Sequence, residues 1–177
     1  VLSRLSEAVG IRILTNTGYY GAMDDKGLPP HAFEETPDQI AARWVAEWED
    51  GIDGTDVRPG FIKIGVDPGP LSAVDRKLVS AACRAHLQTG LVIACHTTDA
   101  AAIAGILPLL KVEGVAGDAF IWVHAHAVPE PDLHEHAARE GVWIELDGLA
   151  PGTVTAHTAL VSAMRERGLL HRVMLSH

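Results

Sequence analysis

This sequence predicts an α/β fold built on a parallel sheet. Three observations carry that expectation. Short apolar runs rich in β-branched residues alternate with helical patterns six times along the chain. The runs recur mostly about 30 residues apart, the length of a right-handed strand-helix-strand unit. Lysine, histidine and aspartate stand within or just after these runs, at the strand ends where α/β folds place their sites. Two architectures satisfy the pattern: an open doubly wound sheet and a (β/α)₈ barrel. No glycine-rich phosphate fingerprint follows the first strand, which weighs against a dinucleotide-binding sheet.

Taken in order, residues 2–9 read as the end of a helix, and Ile11 to Asn16 as a β-branched strand running into the loop Thr17 to Ala22. A polar, proline-containing loop reaches Glu35. Thr36-Pro37-Asp38-Gln39 then supplies an N-cap, a proline at the first helical position and a Gln at N3, which together open a helix. Ile40, Trp44, Val45 and Trp48 form its buried stripe. A strand follows within residues 58–67. Residues 72–88 predict a second helix, stopped by Gly90. Leu91 to Cys95 is a strand entering His96-Thr97-Thr98. The helix expected over residues 99–111 contains Pro108, which should kink or end it. Ala119 to Val123 is a strand entering His124-Ala125-His126, and a helix covers residues 132–140. Val142 to Leu146 is a strand entering Asp147-Gly148. A helix over residues 153–167 stops at Gly168, and Val173 to Ser176 closes the series.

The strand Arg58 to Asp67, RPGFIKIGVD, carries the chemistry. Alternation places Phe61, Lys63 and Gly65 on one side and Ile62, Ile64 and Val66 on the other. Lys63 therefore points where an ammonium is costly to bury. It is either a snorkelling or ion-paired lysine, or a nitrogen used chemically. Desolvation lowers a lysine's pKa, and a neutral amine can act as a nucleophile or take up carbon dioxide as a carbamate.

Composition narrows the function. The formal net charge of −9 and the lack of Lys/Arg clusters argue against nucleic acid or an anionic membrane as partner. No apolar run approaches the roughly 20 residues of a membrane span. The first residues lack the layout of a signal peptide, so a cytoplasmic location is expected. Cys83 and Cys95 fall in a helix and at a strand end, without the pattern of a disulfide framework. Ten histidines are present, and three of them, His96, His124 and His177, follow strands. Neutral imidazoles at His96 and His124, at equivalent places on consecutive strands, suit Zn²⁺ or a similar ion. A histidine in that position is also commonly a plain hydrogen-bonding residue.

The strand GFIKIGVD, the strand ends ACHTT and WVHAH, and the last strand VMLSH occur in that order. Together with EDGIDGTDVRPGFIKIG and AACRAHLQTGLVIACHT, they resemble the phosphotriesterase-like family of the amidohydrolase superfamily, through nearly the whole chain. The resemblance implies a (β/α)₈ TIM barrel and two divalent metal ions, zinc foremost. It implies a hydrolase that uses a metal-bridging hydroxide on phosphotriester, lactone or related ester substrates. It assigns a bridging carbamylated lysine to Lys63 and metal-binding histidines to His96 and His124, with His126 as rival to the last. Tyr20 matches the aromatic residue lining the family's substrate pocket, though a tyrosine packed on the barrel rim reads equally well there.

Departures from the family pattern sharpen these expectations. No His-x-His pair precedes Lys63, and the chain ends at His177, where the family's metal-binding Asp would be next. Gly148 stands where lactonase-type relatives often carry an arginine, which counts against lactone specificity. The expectation is one partial barrel domain, residues 1–177, covering about the third to eighth strands and inactive by itself, with a homodimer as one way to cover the gap. An amidohydrolase cleaving a C–N bond, and a barrel that has lost its chemistry, stand as the alternatives.

Overall fold

A computed structural model describes residues 1–177. Six strands form one sheet in the order of the chain, every neighbouring pair parallel. They are β1 (Asn16–Thr17), β2 (Phe61–Gly65), β3 (Ile93–His96), β4 (Phe120–Val123), β5 (Trp143–Leu146) and β6 (Val173–Leu175). A doubly wound sheet would reverse its order about a central crevice. Here the order never reverses, so the sheet is an arc of a (β/α)₈ barrel. The helices are α1 (Leu2–Val9), α2 (His31–Glu34), α3 (Pro37–Asp50), α4 (Ala73–Thr89), α5 (Ala100–Glu113), α6 (Pro131–Arg139) and α7 (Val154–Glu166). None is long and apolar enough to cross a membrane.

The strands are two-faced, as the alternation requires. Ile62 and Ile64 of β2, Ile93 and Cys95 of β3, Phe120 and Trp122 of β4, and Ile144 and Leu146 of β5 are fully buried under the helices. They join Ile40 and Trp44 of α3, Leu78 and Val79 of α4, and Ile103 and Ile106 of α5 in one core. Burying each such side chain contributes about 1.5–3 kcal/mol. The intervening residues, among them Lys63, Ile121 and Trp143, are less buried and form the inner face of the arc.

Local signals fix the helix ends. Thr36 and Gln39 make the reciprocal cap expected of α3, and Ser72 with Asp75 does the same for α4. Asp99 caps α5 by accepting from the Ala101 and Ala102 amides.

Two expectations needed correction. Ile11 to Asn16 is not a six-residue strand: only Asn16 and Thr17 pair with β2, opposite Phe61 and Ile62. Upstream of Phe61 the neighbouring segment offers one amide, Gly60 to the Thr15 carbonyl, and then Pro59, which has none. Pro108 does not end α5, which runs on to Glu113. The carbonyl that proline leaves unpaired belongs to Ala104, on the exposed face, while Ile103, Ile106, Leu107 and Leu110 bury both halves of the helix. The short helix α2 lies inside what reads as a polar loop, with Ala32 buried beneath it.

Candidate metal centre

Register sets the site. Lys63 is the partner of Ala94, and Gly65 of His96, so lysine and histidine stand on neighbouring strands near their C-terminal ends. Tyr20 bridges to Gly65 just beyond β1. Gly65 is needed there, because a Cβ would meet the Tyr20 ring carbons at 2.8 Å. The tyrosine ring can therefore lie over the end of β2, 5.2 Å from the His96 ring and 5.3 Å from Lys63 Nζ. The rings of His96 and His124 are 4.5 Å apart. Lys63, His96, His124 and Tyr20 are thus neighbours on the inner side of the sheet. Lys63 Nζ donates to the Ile64 carbonyl at 3.1 Å.

His124 reaches this place through its backbone. Alternation along β4 gives the inner face to Ile121 and Val123, so a continued strand would send His124 outward. Instead His124 has φ 68° and ψ 30°, a left-handed conformation that costs a non-glycine residue about 1–2 kcal/mol. The turn brings its ring back beside His96. Its amide donates to Glu145 Oε2 at 3.1 Å, and its Nδ1 lies 2.6 Å from Asp147 Oδ2. His126 Nδ1 lies 3.0 Å from Asp147 Oδ1, yet neither atom has a partner in good hydrogen-bond geometry, and both are shielded from water. Behind them His157 of α7 is buried, with Nε2 2.8 Å from the Asp147 carbonyl oxygen and its ring stacked on His126.

Electrostatics separate these groups. Burial pushes the Lys63 amine below the ordinary lysine range, although Cys95, Glu145 and Asp147 pull the other way. Burial, then the neighbouring His124 and Lys63, lowers His96 to about 4, which leaves its imidazole neutral near pH 7. Burial works to raise Asp147, but the hydrogen bond and charge of His124, with His126 beyond it, hold its carboxyl below the usual range.

A metal site tests well against these observations. His124, Glu145 and Asp147 each present one ligand atom, all within 4.8 Å of one another. Asp147 Oδ1 is a buried acceptor without a donor. A neutral imidazole at His96, an ionised carboxylate at Asp147 and a lysine pushed towards its free amine are donors that a borderline divalent ion takes. Glu145 is partly engaged already, accepting from the His124 amide through Oε2 and from the Ser176 hydroxyl through Oε1. It is a residue that sequence reasoning passed over. The alternation Trp143, Glu145, Asp147 was the available signal, since it places all three on the inner face.

The Phosphotriesterase family matches over residues 1–177. The chain belongs to the phosphotriesterase family. A relative from Escherichia coli, the phosphotriesterase homology protein, is 32% identical over 171 residues, covering 94% of this chain and 58% of its own length. The crystal structure of that protein, complexed with phosphate in its active site, superimposes with a TM-score of 0.87 at 29% identity, covering 98% of this chain and 60% of that one. An aryldialkylphosphatase of Saccharolobus solfataricus is 28% identical over 148 residues, 82% of this chain and 46% of its own. The organophosphorus hydrolase of Deinococcus radiodurans gives a TM-score of 0.87 at 25% identity, covering 99% of this chain and 56% of its own. The phosphotriesterase-family chain therefore spans roughly half to three-fifths of the length of these relatives. The membership expected from the strand motifs and the incomplete barrel both hold.

Proposed function

We propose that the protein to which these residues belong is a binuclear metal-dependent hydrolase of phosphotriesters, lactones or related esters. The observation that carries this reading is the convergence of Lys63, His96 and His124 at one end of a barrel arc in a phosphotriesterase-family chain. Lys63 would bridge two divalent ions, zinc foremost, once its neutral amine has formed a carbamate with carbon dioxide and lost a proton. That change replaces a repelling ammonium by a two-oxygen anion. His96 and His124 would hold one ion. When bound, the pair supplies an acidified water and a Lewis-acid pull on the substrate's phosphoryl or carbonyl oxygen.

The chain's own residues prepare this site. Burial keeps His96 neutral and its lone pair free. Asp147 fixes the His124 ring through Nδ1, leaving Nε2 for an ion. That hydrogen bond, with the turn that brings the His124 ring beside His96, favours His124 over His126 as the ligand. Tyr20, over Gly65 and beside His96, would form the wall against which a substrate group packs. Small esters and phosphoesters are the expected partners, and nucleic acid is not.

The test uses the full-length protein loaded with zinc and a panel of paraoxon, a γ-lactone and an N-acyl amide. Turnover of the first or second supports the ester reading, whereas turnover of the amide alone replaces it by the C–N reading. Lys63→Ala should lower zinc content and reduce kcat/KM by more than the roughly 10–100-fold that loss of a group supporting a ligand costs. Acetate or propionate should restore part of the activity, and Lys63→Arg should not. A Lys63→Ala enzyme with full zinc content and unchanged rate would remove Lys63 from the site.

A further inference from the structure

His134 lies on α6, outside the sheet and away from the inner face, and is fully buried. Its Nε2 donates to the carbonyl of Ala125, the residue immediately after His124, at 2.9 Å. Its ring packs edge-on against Trp122, with centroids 5.1 Å apart. The Trp122 indole N–H in turn donates to the Thr97 carbonyl at 2.7 Å, and the Thr97 amide donates to the Val123 carbonyl at 3.1 Å. A continuous chain of contacts therefore ties α6 to the exit of β4, and the exit of β4 to that of β3. His96 stands at the second exit and His124 at the first. Burial holds His134 below the ordinary histidine range, in keeping with a neutral ring whose proton sits on Nε2 and whose Nδ1 has no partner.

We propose that His134 is a positioning residue, bracing from behind the left-handed turn that aims His124 at the candidate metal centre. The inference rests on the reading of His124 as a ligand. A histidine in this backbone conformation needs holding, because an ordinary strand geometry would carry its ring out of the site. Glu145 and Asp147 hold the turn from the inner side, through the His124 amide and Nδ1. From the α6 side, His134 Nε2 supplies the side-chain hydrogen bond to this turn.

The experiment compares wild type, His134→Phe and His134→Gln in the full-length protein. Phe fills the space without a donor, while Gln keeps an N–H that can reach the Ala125 carbonyl. Amide hydrogen exchange over residues 124–128 is read without metal, and zinc affinity is read by competition with a chromophoric chelator. His134→Phe should speed exchange in this turn at least about tenfold relative to the amides of α6. It should also weaken zinc binding about 10–100-fold, and His134→Gln should recover most of both. Unchanged exchange and affinity in His134→Phe would overturn the proposal. So would a Gln variant as impaired as Phe, since packing alone would then explain the residue. If wild type binds no zinc, the metal reading fails while the exchange comparison still decides the brace. Should the Phe variant not accumulate, His134→Met against His134→Gln poses the same question, because only Gln donates.

Discussion

Asp25 shows how a single residue can be left in tension by its surroundings. Its Oδ1 is buried without a hydrogen-bond partner, as is Oδ1 of Asp75 at the start of α4. The Asp25 oxygen lies against the same Gly21 as Leu78, one turn beyond Asp75. Burial raises the Asp25 carboxyl, and Asp75, Asp67 and Asp24 push it further in the same direction. A carboxyl raised in the folded state stabilises the fold at low pH, and that contribution is lost as pH climbs from the ordinary aspartate value through the raised one. Asp25→Asn removes the charge and offers an N–H to the unpartnered acceptors. It should therefore raise the melting temperature at pH 7, with the gain shrinking on acidification. A melting temperature lower at pH 7 and unchanged at pH 4 would contradict this. Cys83 gives a second test at the same scale. Burial pushes its thiol up to about 12, so it should stay unmodified by a thiol reagent at pH 8 until the fold is opened with denaturant.

At the scale of elements, the crossing of the β1 exit over β2 is a tight joint. Gly18 has φ +118°, and a Cβ there would come within 2.2 Å of the Lys63 carbonyl oxygen. Gly54 also has a positive φ, but open space around it. Gly54→Ala should cost about 1–2 kcal/mol from backbone strain alone. Gly18→Ala should cost well beyond that, because only a shift of β1 away from β2 relieves the clash; denaturant unfolding of the pair measures the difference. The same contrast explains what could be read in the sequence. The α3 start was legible because Thr36, Pro37 and Gln39 act on each other within one turn. Lys63 was legible because strand alternation is local. The left-handed turn at His124 was not, since its cause lies in Glu145, Asp147 and His134, distant in sequence. Residues 11–15 were over-read for a like reason: their β-branched pattern is real, but the partner carries Pro59 where an amide was needed. Pro108 does not end α5 because burial on both sides of it outweighs one lost helical bond.

For the whole molecule, the decisive feature is an arc with two free sides. β1 pairs only with β2, and β6 only with β5, so each outer strand leaves backbone donors and acceptors unpaired. On the inner face, near the N-terminal ends of the strands, Val92, Ile121, Trp143 and Met174 line an apolar hollow of about 260 Å³. In a polypeptide of residues 1–177 alone, both the edges and this hollow face solvent, a combination that favours association. The 177-residue polypeptide should sediment as dimers or larger species with a concentration-dependent mass, and bind a dye such as ANS. It should bind zinc more weakly than the full-length protein, since Lys63, His96 and His124 are fewer donors than two ions require. Trp143→Lys should lower the dye binding by placing a charge in the hollow, and shift the mass towards the monomer if the inner face is the contact. A mass unchanged by Trp143→Lys would assign association to the strand edges, where Asn16→Lys, at the exposed residue of β1, becomes the variant to measure. A stable monomer of residues 1–177 that holds two zinc ions and hydrolyses paraoxon would show that the donors on this arc suffice, and His126 and Asp147 would then be the residues to substitute next.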